Sequence, residues 1–146
     1  MSDLKIVRTI PELRATVTAW RRDGQTVALV PTMGALHEAH MTLMQEARSR
    51  ADRVVATIFV NPTQFAENED LSTYPRREAK DIERLQQDDI DLLFAPDVSE
   101  IYPDGFATSV TVKGVSEGLC GDHRPGHFAG VATVVTKLLL QTLPDV

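Results

Sequence analysis

Four small or β-favouring apolar residues, Val27-Ala28-Leu29-Val30, run into Pro31-Thr32-Met33-Gly34-Ala35-Leu36-His37-Glu38-Ala39-His40, and a helical pattern follows. The apolar run closed by proline predicts a buried strand. From His40 onward Leu43, Met44, Ala47 and Ala51 recur at spacings of three and four, which predicts a one-sided helix. The unit is strand, loop, helix. A helix that starts just past the carboxyl end of a parallel strand aims its free N–H groups and positive dipole end into the crevice where such sheets bind ligands. Gly34 suits a close approach of backbone to ligand. His37 and His40, three apart, share one face of the first turn, where two imidazoles can donate hydrogen bonds to a phosphate.

The rest of the chain repeats this alternation. Lys5-Ile6-Val7 predicts a short edge strand, and Thr9 with Glu12 predicts a capping box opening a helix through Ile10, Leu13, Val17 and Trp20 that Gly24 ends. Arg53 to Val60 is apolar and β-branched throughout, as expected of a strand inside a parallel sheet. A right-handed crossover would set its end, and with it Asn61 and Gln64, beside His37 and His40. Pro75 is placed to start a helix to about Asp88, with Ala79, Ile82 and Leu85 inward. Its charges, Arg76, Arg77, Glu78, Lys80, Asp81, Glu83 and Arg84, read as a solvated face. Asp91 to Pro96 predicts a third such strand, Ser109 to Lys113 a further one, and Phe128 a last helix with Val131, Val134, Val135, Leu138 and Leu139 inward. The expected fold is α/β: a doubly wound, mostly parallel, Rossmann-like sheet with flanking helices.

Composition narrows the function. At 146 residues, 42% hydrophobic and 25% charged, the chain fits one globular domain. Its net charge of −6 argues against a general nucleic-acid or membrane-surface binder, so any attraction for phosphate is local. The one cysteine, Cys120, allows no internal disulfide and has no evident base partner. No stretch approaches the roughly 20 apolar residues of a spanning helix, and the cytoplasm is the expected compartment. Neither a Walker-type loop nor G-x-G-x-x-G is present, and His37 and His40 without a third ligand are poor evidence for a protein-bound metal.

An isolated H-x-x-H pair reads first as a satisfied helix cap or a surface cluster, and the strand-loop-helix context with its companion blocks reverses that reading. The pair behind a strand and a Pro-Thr-Met-Gly turn resembles the H-x-G-H signature of the nucleotidylyltransferase superfamily. More narrowly, Pro31 to His40, Ile58 to Phe65 (I-F-V-N-P-T-Q-F) and Arg124 to Val131 (R-P-G-H-F-x-G-V) resemble, in order, three blocks of the pantothenate synthetase (pantoate–β-alanine ligase) family. That resemblance implies an ATP-dependent ligase taking pantoate, β-alanine and Mg2+-ATP through a pantoyl adenylate, and a homodimer. It also implies roles: His37 and His40 on the ATP phosphates and developing charge, with Pro31, Thr32, Met33, Gly34 and Ala39 in the nucleotide site. Gln64, Met33, Asn61, Arg124, Val134 and Val135 are implied for pantoate. Asn61 reads also as a turn-maker before Pro62, Tyr74 as either a cavity wall or a helix start, and Arg124 and His127 as either site residues or a helix start.

Two departures from the family pattern carry expectations. Ala39 stands where the signature has glycine, placing a methyl where phosphate approaches. Weakened ATP binding follows, through strain if φ is positive there and through crowding if the residue is helical. The chain also stops at Leu143-Pro144-Asp145-Val146, where a further strand is expected to begin. Residues 1–146 then correspond to the N-terminal nucleotide- and pantoate-binding domain, without the family's later lysine and serine/arginine elements or its second domain. The competing reading is a non-catalytic fragment that binds or dimerises.

Overall fold

The computed structural model describes residues 3–65, 77–114 and 126–146. In chain order the elements are β1 (Lys5–Val7), α1 (Ile10–Arg22), β2 (Val27–Thr32), α2 (Glu38–Arg50), β3 (Arg53–Ile58), a 3₁₀ turn (Pro62–Gln64), α3 (Glu78–Gln87), β4 (Leu92–Phe94), α4 (Val98–Ile101) and α5 (His127–Thr142). Among the described residues the strands form one sheet in the order β1-β4-β3-β2, every pair parallel.

Strand alternation sends side chains to two cores. Val27, Val55, Leu92 and Phe94 face Leu13 and Val17 of α1, Ile101 of α4, and Val134 and Leu138 of α5. Ala28, Val30, Val54, Ala56 and Leu93 face Met41, Met44 and Ala47 of α2 and Leu85 of α3. The sheet is therefore covered on both sides, as a doubly wound fold requires. Each fully buried Leu, Val or Phe contributes roughly 1.5–3 kcal/mol by leaving water. Trp20 packs partly buried against the first core, with the Arg53 guanidinium 5.3 Å from its ring centre.

Several details differ from the sequence reading. The face of α2 that enters the core is Met41, Met44 and Ala47, while Leu43 is 55% exposed, because the helix begins at Glu38 with His37 as its N-cap. At α1, Thr9 Oγ1 caps the Glu12 amide, but the Glu12 carboxylate takes the Thr9 hydroxyl, and Glu100 accepts the Ile10 amide instead of leaving a closed capping box. Helix α3 starts at Glu78, while Pro75 lies outside the described residues; Ala79 is exposed and takes no part in the core, which α3 enters through Ile82 and Leu85.

Residues 109–113 do not form a strand: Val110 finds no sheet edge, and its N–H goes to Thr133 Oγ1 of α5 at 2.9 Å. Leu139 of α5 is exposed, and the buried face includes Thr133 and Gln141. Beyond α5, Asp145 and Val146 donate amides to the Val27 carbonyl, and Val146 O accepts from Leu29 N at 2.9 Å. The free edge of β2 thus carries a parallel hydrogen-bond pattern.

Candidate active site

The carboxyl ends of β2, β3 and β4 form the site. A cavity of about 200 Å³ opens there, lined among others by Arg8, Met33, Gly34, Phe59, Asp81 and Ala95; it adjoins the histidine loop through Met33 and Gly34, while His37, His40, Asn61 and Gln64 are not part of its lining. After β2 the chain turns through two consecutive left-handed residues, Gly34 (φ 81°) and Ala35 (φ 52°). The conformation costs Ala35 about 1 kcal/mol, so something must hold it. Thr32 Oγ1 accepts from Gly34 N at 3.1 Å and donates to Thr57 O at 2.7 Å. Ala35 N and Leu36 N both donate to Asp81, at 2.9 and 2.8 Å. Those two amides are spoken for. The first amides of α2 have no intrahelical acceptor, and of these the His40 amide turns to the His37 side chain in a reciprocal cap, which leaves those of Glu38 and Ala39 for a ligand.

The loop delivers the two histidines as a stacked pair, ring centres 4.0 Å apart and tilted 41°. The His37 amide donates to His40 Nδ1 at 3.2 Å. A nitrogen that accepts carries no proton, so His40 is the tautomer with its hydrogen on Nε2, and that hydrogen is available to an oxygen acceptor. Burial lowers the His40 pKa from its ordinary value, and the adjacent His37 lowers it further, against a smaller opposing pull from Asp81. His40 is a neutral donor at pH 7. His37 is exposed.

Asn61 and Gln64 follow β3. Asn61 is fully buried, and backbone groups dictate its amide orientation: Oδ1 accepts from Thr63 N at 3.2 Å and Nδ2 donates to Gly130 O at 3.1 Å. Its Oδ1 also takes the Tyr102 hydroxyl at 2.8 Å, and Nδ2 reaches Gln64 Oε1 at 3.0 Å. Every site on Asn61 is used, which makes it a turn-former and a support for Gln64. With Oε1 occupied, Gln64 presents Nε2, which lies 3.6 Å from Met33 Sδ. His127 Nδ1 meets Gln64 O at 2.8 Å. Gly130 lies so close to the Thr63 carbonyl that a Cβ would collide with it. The three sequence blocks are therefore joined: Met33 from the first touches Gln64 of the second, and in the third His127 meets Gln64 O while Gly130 O accepts from Asn61.

The remaining sequence candidates are placed as follows. Pro31 is exposed on β2 and Thr32 is buried. Ala39 sits in the first turn of α2, exposed and without positive φ, so the strain alternative is excluded. Val134 is buried in the core beneath the sheet, with Val135 half-buried against it. Arg124, Tyr74, His123 and Cys120 lie outside the described residues. Charges read as solvated prove engaged: Asp81 is 3% exposed, Arg84 bonds Leu36 O and Glu38, and Glu78 pairs with Arg8 at 2.5 Å. Asp81 could have been found from spacing, since it lies four before the inward Leu85.

The profile of the family described as Pantoate-beta-alanine ligase matches residues 5–146. The chain belongs to that family. A pantothenate synthetase of Paramagnetospirillum magneticum is 64% identical over 141 residues, covering 97% of this chain and 50% of that protein. One of Rhodospirillum rubrum is 58% identical over 146 residues, covering 100% and 52%. The chain spans about half the length of the curated relatives it matches. Among solved structures, pantothenate synthetase from Thermus thermophilus superposes with a TM-score of 0.90 at 47% identity, over 97% of this chain and 50% of that one. The Francisella tularensis pantoate-beta-alanine ligase, complexed with beta-gamma ATP and β-alanine, gives 0.91 at 41% identity, over 97% and 54%.

Family membership raises the question of Mg2+. Among the described residues no three His, Cys, Asp or Glu side chains gather where they could hold a metal ion. Nor is any described helix long and apolar enough to cross a membrane.

Proposed function

We propose that this chain supplies the ATP- and pantoate-binding half of a ligase that condenses pantoate with β-alanine. In the first step a pantoate carboxylate oxygen attacks the α-phosphorus of ATP, the bond to the bridging oxygen breaks, and pyrophosphate leaves with the Mg2+ that entered as part of the substrate. In the second, the β-alanine amine attacks the acyl carbon of pantoyl adenylate, loses a proton, and expels AMP. No covalent enzyme nucleophile is required, so catalysis is positioning and charge stabilisation. His40 Nε2–H and the first amides of α2 face the phosphates, with His37 beside them. Gln64 Nε2 donates to an oxygen of pantoate next to Met33. Pro31, Thr32 and Gly34 shape the nucleotide side; Val135 and Arg124 are assigned to the pantoate side, with Val134 buried in the core.

The observation that carries this reading is the contact of Gln64 Nε2 with Met33 Sδ, which brings the turn after β3 against the loop after β2 and supports one crevice between them. A cytoplasmic homodimer completes the proposal; light scattering on the purified chain tests the dimer. The second reading, a binding fragment without turnover, draws on the half-length coverage of the relatives. Pantoate-dependent exchange of labelled pyrophosphate into ATP separates the two. On the ligase reading exchange occurs, and His40→Ala lowers its rate on the order of 10²–10³-fold. Pantoate binding without exchange favours the fragment.

A further inference from the structure

Helix α3 carries two side chains that the proposed chemistry does not use and that both reach the loop before the histidines. Asp81, almost wholly buried, accepts the amides of Ala35 and Leu36. Arg84, one turn later, donates to the Leu36 carbonyl at 3.1 Å and pairs with the Glu38 carboxylate at the start of α2. Acceptor and donor on one helix thus grip opposite polar groups of a two-residue stretch of backbone. Gly34 completes the fit: a Cβ there would lie 3.2 Å from Asp81 Oδ2 and 3.1 Å from Ile58 Cγ2, so only glycine lets the carboxylate close on the turn without displacement. Directly after the gripped residues comes His37, whose amide holds His40 Nδ1.

We infer that α3 is a register clamp for the histidine pair, with Asp81 and Arg84 as positioning residues that hold the His37 amide against His40 and so fix the Nε2–H of His40 as the outward donor. A merely structural role would cost stability and leave the tautomer alone. A purely through-space role is also distinguishable. The titratable groups acting on His40 are His37 at its own helix end and Asp81 from α3, and the Asp81 charge favours protonation. Removing the charge alone therefore lowers the His40 midpoint, whereas releasing the loop relieves its burial and raises it.

The test is ¹⁵N NMR of the imidazoles across a pH titration of the 146-residue chain, comparing wild type with Asp81→Asn and Arg84→Met. Wild type is expected to show His40 with unprotonated Nδ1. Asp81→Asn is expected to mix the tautomers and to raise the midpoint toward 6.5, with Arg84→Met moving both the same way by less. An unchanged tautomer with an unchanged or lowered midpoint overturns the clamp. Should Asp81→Asn fail to fold, Arg84→Met decides alone, a retained tautomer overturning the inference. The functional consequence rests on the ligase reading: ATP affinity in Asp81→Asn falls on the order of tenfold while pantoate affinity holds. Failure of the wild-type chain to bind ATP counts against that reading and leaves the tautomer result standing.

Discussion

Asn61 donates through Nδ2 to Gln64 Oε1 at 3.0 Å while the same nitrogen serves the Gly130 carbonyl, so the orientation of a crevice amide is dictated by backbone two steps away. Asn61→Asp replaces that donor with an acceptor. Gln64 then turns its Nε2 inward and shows the crevice an oxygen, and pantoate affinity drops by a factor of ten or more, about 1–3 kcal/mol for a lost and mismatched donor. Calorimetry with pantoate reads the change, and an unaltered affinity would remove Gln64 from the pantoate site.

Gly130 is required by space. Its φ is not in the left-handed region, but a Cβ would strike the Thr63 carbonyl. Gly130→Ala is expected to push α5 off the 3₁₀ turn and to destabilise by roughly 1–3 kcal/mol, despite alanine's better helix propensity. Urea unfolding measures it. A stabilised variant would show that the two elements pack less tightly.

Much of this architecture was legible because parallel strands buried on both faces are written as continuous apolar runs. Val54-Val55-Ala56 supplies both cores in alternation. Residues 109–113 carry the same β-branched signature, yet the Val110 amide pairs with Thr133, since a strand needs an edge as well as a pattern. Asp81 was hidden for the converse reason. A charge in a charged helix reads as solvated unless its partners are seen, and its partners are backbone amides 45 and 46 residues away. Gln64 and Asn61 are expected at the site from the resemblance; that Asn61 orients the Gln64 amide needed the hydrogen-bond geometry.

Ala39 lies in a helical turn, so restoring glycine relieves no strain. Ala39→Gly is expected to lose about 0.5–1 kcal/mol of stability. It gains ATP affinity only if the methyl crowds the nucleotide. Thermal unfolding alongside ATP titration separates the two effects, and lower stability with unchanged affinity would end the crowding explanation.

His40 gives folding a pH dependence of definite sign. Its pKa is lowered in the folded chain, from 6.5, chiefly by burial. Between the folded and unfolded midpoints the unfolded state binds more protons, so stability rises with pH across that window and is level above 6.5. As pH falls through the window, this contribution is lost. A His40→Gln chain should show a flatter Tm-against-pH curve there, and an unchanged slope would mean that His40 titrates normally.

The central claim is that the histidine loop and the Gln64 turn form the two sides of one adenylate-binding crevice. Calorimetric titration of pantoyl adenylate into the 146-residue chain tests it most directly, with His40→Ala and Gln64→Ala alongside, because the intermediate spans both sides. The account predicts binding by wild type that weakens in each variant. Binding that survives both substitutions, or none by a chain shown to be folded, would contradict it.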